Sequence, residues 1–114
     1  DYARSKHFYT QILGLNVVAE TYREARDSYK LDLAVNGLYQ IELFSFPNPP
    51  ARPSRPEAAG LRHLAFSVLN IEQTHAHLEQ KKVACEAIRV DELTKKKFFF
   101  IADPDDLPIE FYEI

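Results

Sequence analysis

The stretch "QIELFSF" (residues 40–46) returns in character near the end of the chain as "PIEFYEI" (108–114). Each sets a glutamate, Glu42 or Glu110, between apolar neighbours in a run that reads as a β-strand. Strand alternation places Ile41 and Leu43 on one face and Glu42, Phe44 and Phe46 on the other. In the later run Ile109 and Phe111 share a face, and Glu110 and Tyr112 share the opposite one. A carboxylate on a partly apolar sheet face is costly unless it is paired or bound to a metal. Two carboxylates brought together from symmetric positions would also repel one another. A divalent cation between them removes both difficulties.

Outward from these runs the chain divides into similar halves. "DYARSKHFYTQILGL" reads as a helix over 1–13, with Asp1 as its cap, Phe8, Tyr9, Ile12 and Leu13 as its apolar stripe, and Gly14 as its stop. "NVVAETYRE", "YKLDLAVNG" and "LYQIELFSF" read as strands, with a tight turn at Asn36-Gly37. "PNPPARPSRPEAAG" (47–60) is a Pro-rich ordered loop or linker. "LRHLAFSV" is a strand, and a helix follows over 70–83, capped by Asn70 with Gln73 three residues on. "CEAIRV", "KFFFIA" and "IEFYEI" are the last strands, with "DPDDLP" as a turn.

The second half therefore runs strand, helix, strand, strand, strand. The first runs helix, strand, strand, strand. Asn70 corresponds to Asp1 and Glu110 to Glu42. The repeat is a βαβββ module, and self-comparison alone reveals it. The expected architecture is α+β, with module 1 over 1–46, the Pro-rich linker over 47–60 and module 2 over 61–114. The opening strand of module 1 is expected upstream of Asp1. A histidine is expected about seven residues before Asp1, matching the step from His63 to Asn70.

Composition narrows the function. The chain has 114 residues, 46% of them apolar, and a formal net charge of −3. That charge argues against a nucleic-acid partner, which would want a basic face. No apolar run approaches membrane-spanning length. The single cysteine, Cys85, cannot form an internal disulfide, so a reducing cytoplasm is the default setting. A buried, inert thiol is the plain reading of Cys85.

In "LRHLAFSV", Leu64, Phe66 and Val68 point one way, and His63, Ala65 and Ser67 the other. Small residues beside a histidine suggest a surface that something must approach. His63 would add a nitrogen ligand to the two carboxylates. Alone, a strand glutamate is ordinarily salt-bridged or solvated, and a strand histidine merely hydrogen-bonded; the symmetric repetition favours a metal. His7 lies opposite the apolar stripe of its helix, and His75 and His77 point about 200° apart around theirs, so neither fits a shared ion.

"HFYTQILGL", "YQIELFSF", "LRHLAFSV" and "ADPDDLPIEFYEI", in that order, resemble the glyoxalase/bleomycin-resistance/dioxygenase group, the vicinal-oxygen-chelate superfamily. The likeness covers almost the whole chain and is nearest to small bacterial glyoxalase I-like proteins. It implies paired βαβββ modules curling around one divalent metal, with open positions for water or substrate oxygens. Carried over by position, the implied metal ligands are Glu42, His63 and Glu110, with a fourth, a histidine, upstream of Asp1. Arg23, Arg26, Arg52, Arg55 and Arg62 lie near cavity-forming segments. Of these, Arg23, Arg26 and Arg62 are the candidates for an anionic substrate such as a thiol-conjugate carboxylate, with solvated loop charge as the plain alternative.

The resemblance implies a metal-dependent lyase or isomerase of lactoylglutathione lyase type acting through an enediolate, with Glu110 as the proton-moving base and Glu42 mainly a ligand. A second glutamate suits zinc, nickel or cobalt. The superfamily's dioxygenases use two histidines and one glutamate on iron, and its thiol transferases also use a single glutamate. A metal-free drug-binding resistance protein is the rival outside catalysis; it has no reason to keep all three ligands. The expected partners are a small-molecule substrate and a second copy in a homodimer, with modules paired within a chain or swapped across two.

Overall fold

Asp1 starts the first helix by accepting a hydrogen bond from the Arg4 backbone N–H at 3.1 Å, as its capping role requires. This helix, α1 (Tyr2–His7), continues into a wider π-helical turn over Phe8–Ile12 and stops before Gly14, whose φ is +78°. The computed structural model describes all residues, 1–114, as two compact units, Asp1–Ala51 and Arg52–Ile114. No helix is long and apolar enough to cross a membrane.

The first unit is α1 with a three-stranded antiparallel sheet, β1 (Asn16–Arg23), β2 (Ser28–Val35) and β3 (Leu38–Phe44), in the order β1-β2-β3. Its core is Phe8, Tyr9, Leu31 and Leu33, all buried. On the helix side Tyr2 stacks on Tyr29 at 4.7 Å between ring centres, and Lys6 and the Tyr2 hydroxyl both reach Glu20, at 2.6 and 2.5 Å.

The register of the β2–β3 hairpin decides where Glu42 points. Asn36 and Gly37 both have positive φ, +50° and +80°, as the two-residue turn between Val35 and Leu38 demands. Continued without interruption, that turn would set Glu42 opposite Leu31, on the helix side. Instead Ala34 pairs with Tyr39 but Leu33 with Ile41, so Gln40 is an extra residue. This bulge moves Glu42 opposite Asp32, away from the helix.

The second unit carries β4 (Leu64–Val68), α2 (Ile71–Gln80), β5 (Arg89–Val90), β6 (Lys97–Ala102) and β7 (Pro108–Glu113). Its sheet order is β4-β7-β6-β5, with β4 parallel to β7 and the other pairs antiparallel. Asn70 caps α2 by accepting from the Gln73 N–H at 2.9 Å. Ile71 and Leu78 of α2 are buried together with Phe99, Ile101, Ile109 and Phe111 of the sheet. Phe99 and Phe111 stack at 5.3 Å, and the His75 ring meets Phe99 edge-on at 4.8 Å.

Both halves thus show the expected element order, with local differences. The strand expected over "CEAIRV" pairs only at Arg89–Val90, although the Glu86 N–H also donates to the Phe100 carbonyl at 3.0 Å. The strand in "LRHLAFSV" begins at Leu64, leaving His63 one residue ahead of it. The Pro-rich stretch is divided: from Arg52 onward it belongs to the second unit, where the buried Ser54 hydroxyl donates to the Asp106 carbonyl at 2.6 Å.

Candidate functional site

Parallel pairing of β4 with β7 places Ala65 opposite Glu110, and pairing of β7 with β6 places Glu110 opposite Phe100. The exposed face of the second sheet therefore carries a row of Ala65, Glu110 and Phe100. His63 lies diagonally across from Glu110, and the small Ala65 side chain leaves the imidazole room to lean over. The Nε2 of His63 stands 3.2 Å from Oε2 of Glu110. The His63 ring meets Phe100 edge-on at 5.3 Å, which fixes its orientation. Glu110 is 16% exposed and His63 42%, so the carboxylate is covered while the imidazole is open to solvent.

Beside this pair is a cavity of about 550 Å³, lined by Arg62, His63, Cys85, Glu86, Arg89 and Phe100 among others. The Arg62 guanidinium is braced by the carbonyls of Pro53 (3.0 Å) and Gly60 (3.4 Å). Arg89 pairs with Glu86 at 2.9 Å and lies over the Phe98 ring at 4.7 Å. Burial, then the nearby Glu79, pushes the Cys85 thiol above its ordinary pKa, in keeping with an inert cysteine.

In the first unit Glu42 lies in a charged quartet. Its Oε1 is 3.1 Å from Lys30 Nζ and accepts from the Tyr39 hydroxyl at 2.6 Å. Asp32 Oδ1 is 2.8 Å from the same ammonium and 2.9 Å from the same hydroxyl. The Tyr39 hydroxyl and then the Lys30 ammonium hold the Glu42 carboxyl below its ordinary pKa. The Tyr39 phenol, facing first Glu42, is pushed up to about 12. Arg23 lies over Phe44 at 4.7 Å and donates to Ser28 Oγ at 2.7 Å, and Arg26 lies over Phe46 at 5.8 Å.

The second unit thus brings His63 and Glu110 together and sets Arg62 on the adjoining cavity. The first unit joins Arg23 and Arg26 to the aromatic residues that follow Glu42 on its face. The partners of Glu42 were not anticipated. Lys30 and Asp32 share a face in "YKLDLAV", and that alternation was the available signal; their meeting with Glu42 depends on the bulge at Gln40. Lys97 opens β6 and bridges to Glu72 of α2.

No three His, Cys, Asp or Glu side chains gather as a ready metal cage within either unit. The donor chemistry of His63 and Glu110 nonetheless suits a divalent ion. Two ligand atoms each about 2.1 Å from one ion stand between about 3.0 and 3.4 Å apart in octahedral or tetrahedral geometry. The observed 3.2 Å falls in that range.

Comparison with known proteins agrees with this fold. The family model of the glyoxalase/bleomycin resistance protein/dioxygenase superfamily matches residues 1–111. The protein YaeR of Escherichia coli (strain K12) is 66% identical over 113 residues, covering 99% of this chain and 88% of the relative. YwkD of Bacillus subtilis (strain 168) is 58% identical over the same shares. The crystal structure of a glyoxalase family protein from Enterococcus faecalis superposes with a TM-score of 0.91 at 44% identity, covering 99% of this chain and 89% of that one. The order of one helix followed by three strands in both halves and the family match agree: this chain belongs to the glyoxalase/bleomycin resistance protein/dioxygenase superfamily.

Proposed function

We propose that this protein is a divalent-metal-dependent lyase or isomerase of glyoxalase type, acting on a small and possibly thiol-conjugated substrate. The observation that carries the reading is the 3.2 Å approach of His63 Nε2 to Glu110 Oε2 on an exposed sheet face beside a cavity. His63, Glu110 and Glu42 are the ligands in this proposal. When bound, zinc, nickel or cobalt supplies Lewis-acid polarisation of adjacent substrate oxygens.

The chain's own residues then divide the work. Glu110 takes a proton from the hydroxyl-bearing carbon beside the substrate carbonyl, leaving an enediolate, and delivers it to the former carbonyl carbon, while the hydroxyl proton passes to the former carbonyl oxygen. The change is an isomerisation with no net oxidation. Glu42 is poorly suited to that role, because Tyr39 and Lys30 already stabilise its charged form. Arg62 at the cavity supplies positive charge for a carboxylate on the substrate, and Arg23 and Arg26 are further candidates for that role in this proposal. The reading includes a homodimer in the cytoplasm.

One observation favours the rival, a metal-free drug-binding protein: His63 and Glu110 satisfy one another directly. Metal analysis with a glutathione-hemithioacetal assay separates the two. Bound divalent metal and chelator-sensitive thioester formation support the lyase. A metal-free protein that turns nothing over and binds an antibiotic tightly overturns it.

A further inference from the structure

We infer that Lys30 is an internal cation that competes with the metal for Glu42, and so sets how tightly metal is held. This rests on the proposal that Glu42 is a metal ligand.

The two copies of the module treat their glutamates differently. Glu110 has Phe100 as its cross-strand neighbour and Phe98 two residues further back on β6. The corresponding places on β2 hold Asp32, opposite Glu42, and Lys30. Like charges directly opposite on adjacent strands destabilise a sheet. Lys30 relieves this by placing its Nζ 2.8 Å from Asp32 Oδ1 and 3.1 Å from Glu42 Oε1. An ammonium therefore already lies against the oxygen a metal would need. A divalent ion arriving at Glu42 must displace that contact and bear the repulsion of a nearby positive charge.

The displacement is feasible because Lys30 has somewhere to stay. Asp32 is 15% exposed and Glu42 47%, so the ammonium keeps its more covered partner while releasing the more open one. An ion pair as open as Lys30–Glu42 holds only weakly. Tyr39 follows the same logic. Its single hydroxyl proton serves Asp32 or Glu42 in turn, and Asp32 accepts it once Glu42 is engaged. Glu110 has no such competitor, so only one of the two carboxylates is restrained.

The test is a competition titration of metal-free protein with zinc against a chromophoric chelator, for wild type, Lys30→Met, Lys30→Arg, Glu42→Gln and Lys97→Met. Circular dichroism confirms that each variant is folded. The inference expects Lys30→Met to tighten zinc by about three- to tenfold. Lys30→Arg, which keeps the charge, stays near wild type, as does Lys97→Met, whose partner is Glu72. Unchanged or weaker zinc binding by Lys30→Met overturns the inference. If Glu42→Gln still weakens zinc in that case, the metal reading survives without it. If wild type and Lys30→Met both bind no zinc, the proposed function fails and takes this inference with it.

Discussion

His63, the residue just ahead of β4, and Glu110 of the neighbouring strand β7 are far apart in the chain, and their side-chain tips meet at 3.2 Å. Parallel pairing makes this meeting: β4 and β7 run in the same direction, so the residue just before β4 lies one diagonal step from Glu110. The imidazole is open and the carboxylate is covered, a division of exposure that suits a ligand pair in which one member also handles protons.

Glu110→Gln is expected to lower kcat by about 100-fold or more at saturating metal, because the amide cannot take a proton. Glu42→Gln should instead weaken metal binding and recover much of its rate when metal is added in excess. Steady-state kinetics at several metal concentrations distinguish the two. Equal losses that metal does not relieve would contradict the division of roles.

Deleting Gln40 removes the bulge in β3 and returns the hairpin to the uninterrupted register of its Asn36-Gly37 turn. Glu42 would still face Asp32, because with Gln40 gone the pairs Ala34–Tyr39, Leu33–Ile41 and Asp32–Glu42 follow one another without a break. Urea unfolding should therefore show a loss smaller than the roughly 2 kcal/mol that burying an unpaired carboxylate would bring. Gln40→Ala, which keeps the extra residue, should lie within about 0.5 kcal/mol of wild type.

Phe99 is fully buried between α2 and the sheet, stacked on Phe111 and met edge-on by His75. Phe99→Ala is expected to destabilise the protein by about 3–5 kcal/mol. Asn70→Ala, which removes the α2 cap, should cost about 1 kcal/mol. Chemical denaturation measures both, and the order of the two effects is the check.

Glu20 has its pKa lowered below the ordinary 4.5, first by the Lys6 ammonium and then by the Tyr2 hydroxyl. A depressed carboxylate contributes stability above its unfolded pKa and loses it as pH falls through the folded one. Stability of wild type should therefore decline below about pH 4.5 more steeply than that of Glu20→Gln, with the two differing by a constant amount at neutral pH. Thermal unfolding across that range checks the sign. The pair is exposed, so the difference is small.

Much of this fold is legible in the residues themselves. The alternation of "QIELFSF" and "PIEFYEI", the caps Asp1 and Asn70 and the turn at Asn36-Gly37 all occur where the physics of each element predicts. What could not be read was register across strands. The bulge at Gln40 leaves no mark in the alternation of β3 alone, because "QIELFSF" reads the same whichever strand residue it faces. The quartet of Lys30, Asp32, Tyr39 and Glu42 depends on that register, and so escaped notice. His63 was legible as a candidate because it shares a strand face with the small residues Ala65 and Ser67. That its partner is Glu110 follows from the parallel pairing of β4 and β7, two strands separated by a helix and two further strands.

The most direct test of the central claim is a titration of metal-free protein with cobalt(II), read by its visible absorption spectrum. The metal-dependent reading predicts saturation near one ion per site, with nitrogen and oxygen ligands. His63→Ala and Glu110→Gln should each weaken cobalt by at least about 100-fold. Wild type that gives no cobalt spectrum, or variants that bind cobalt as tightly as wild type, would contradict it.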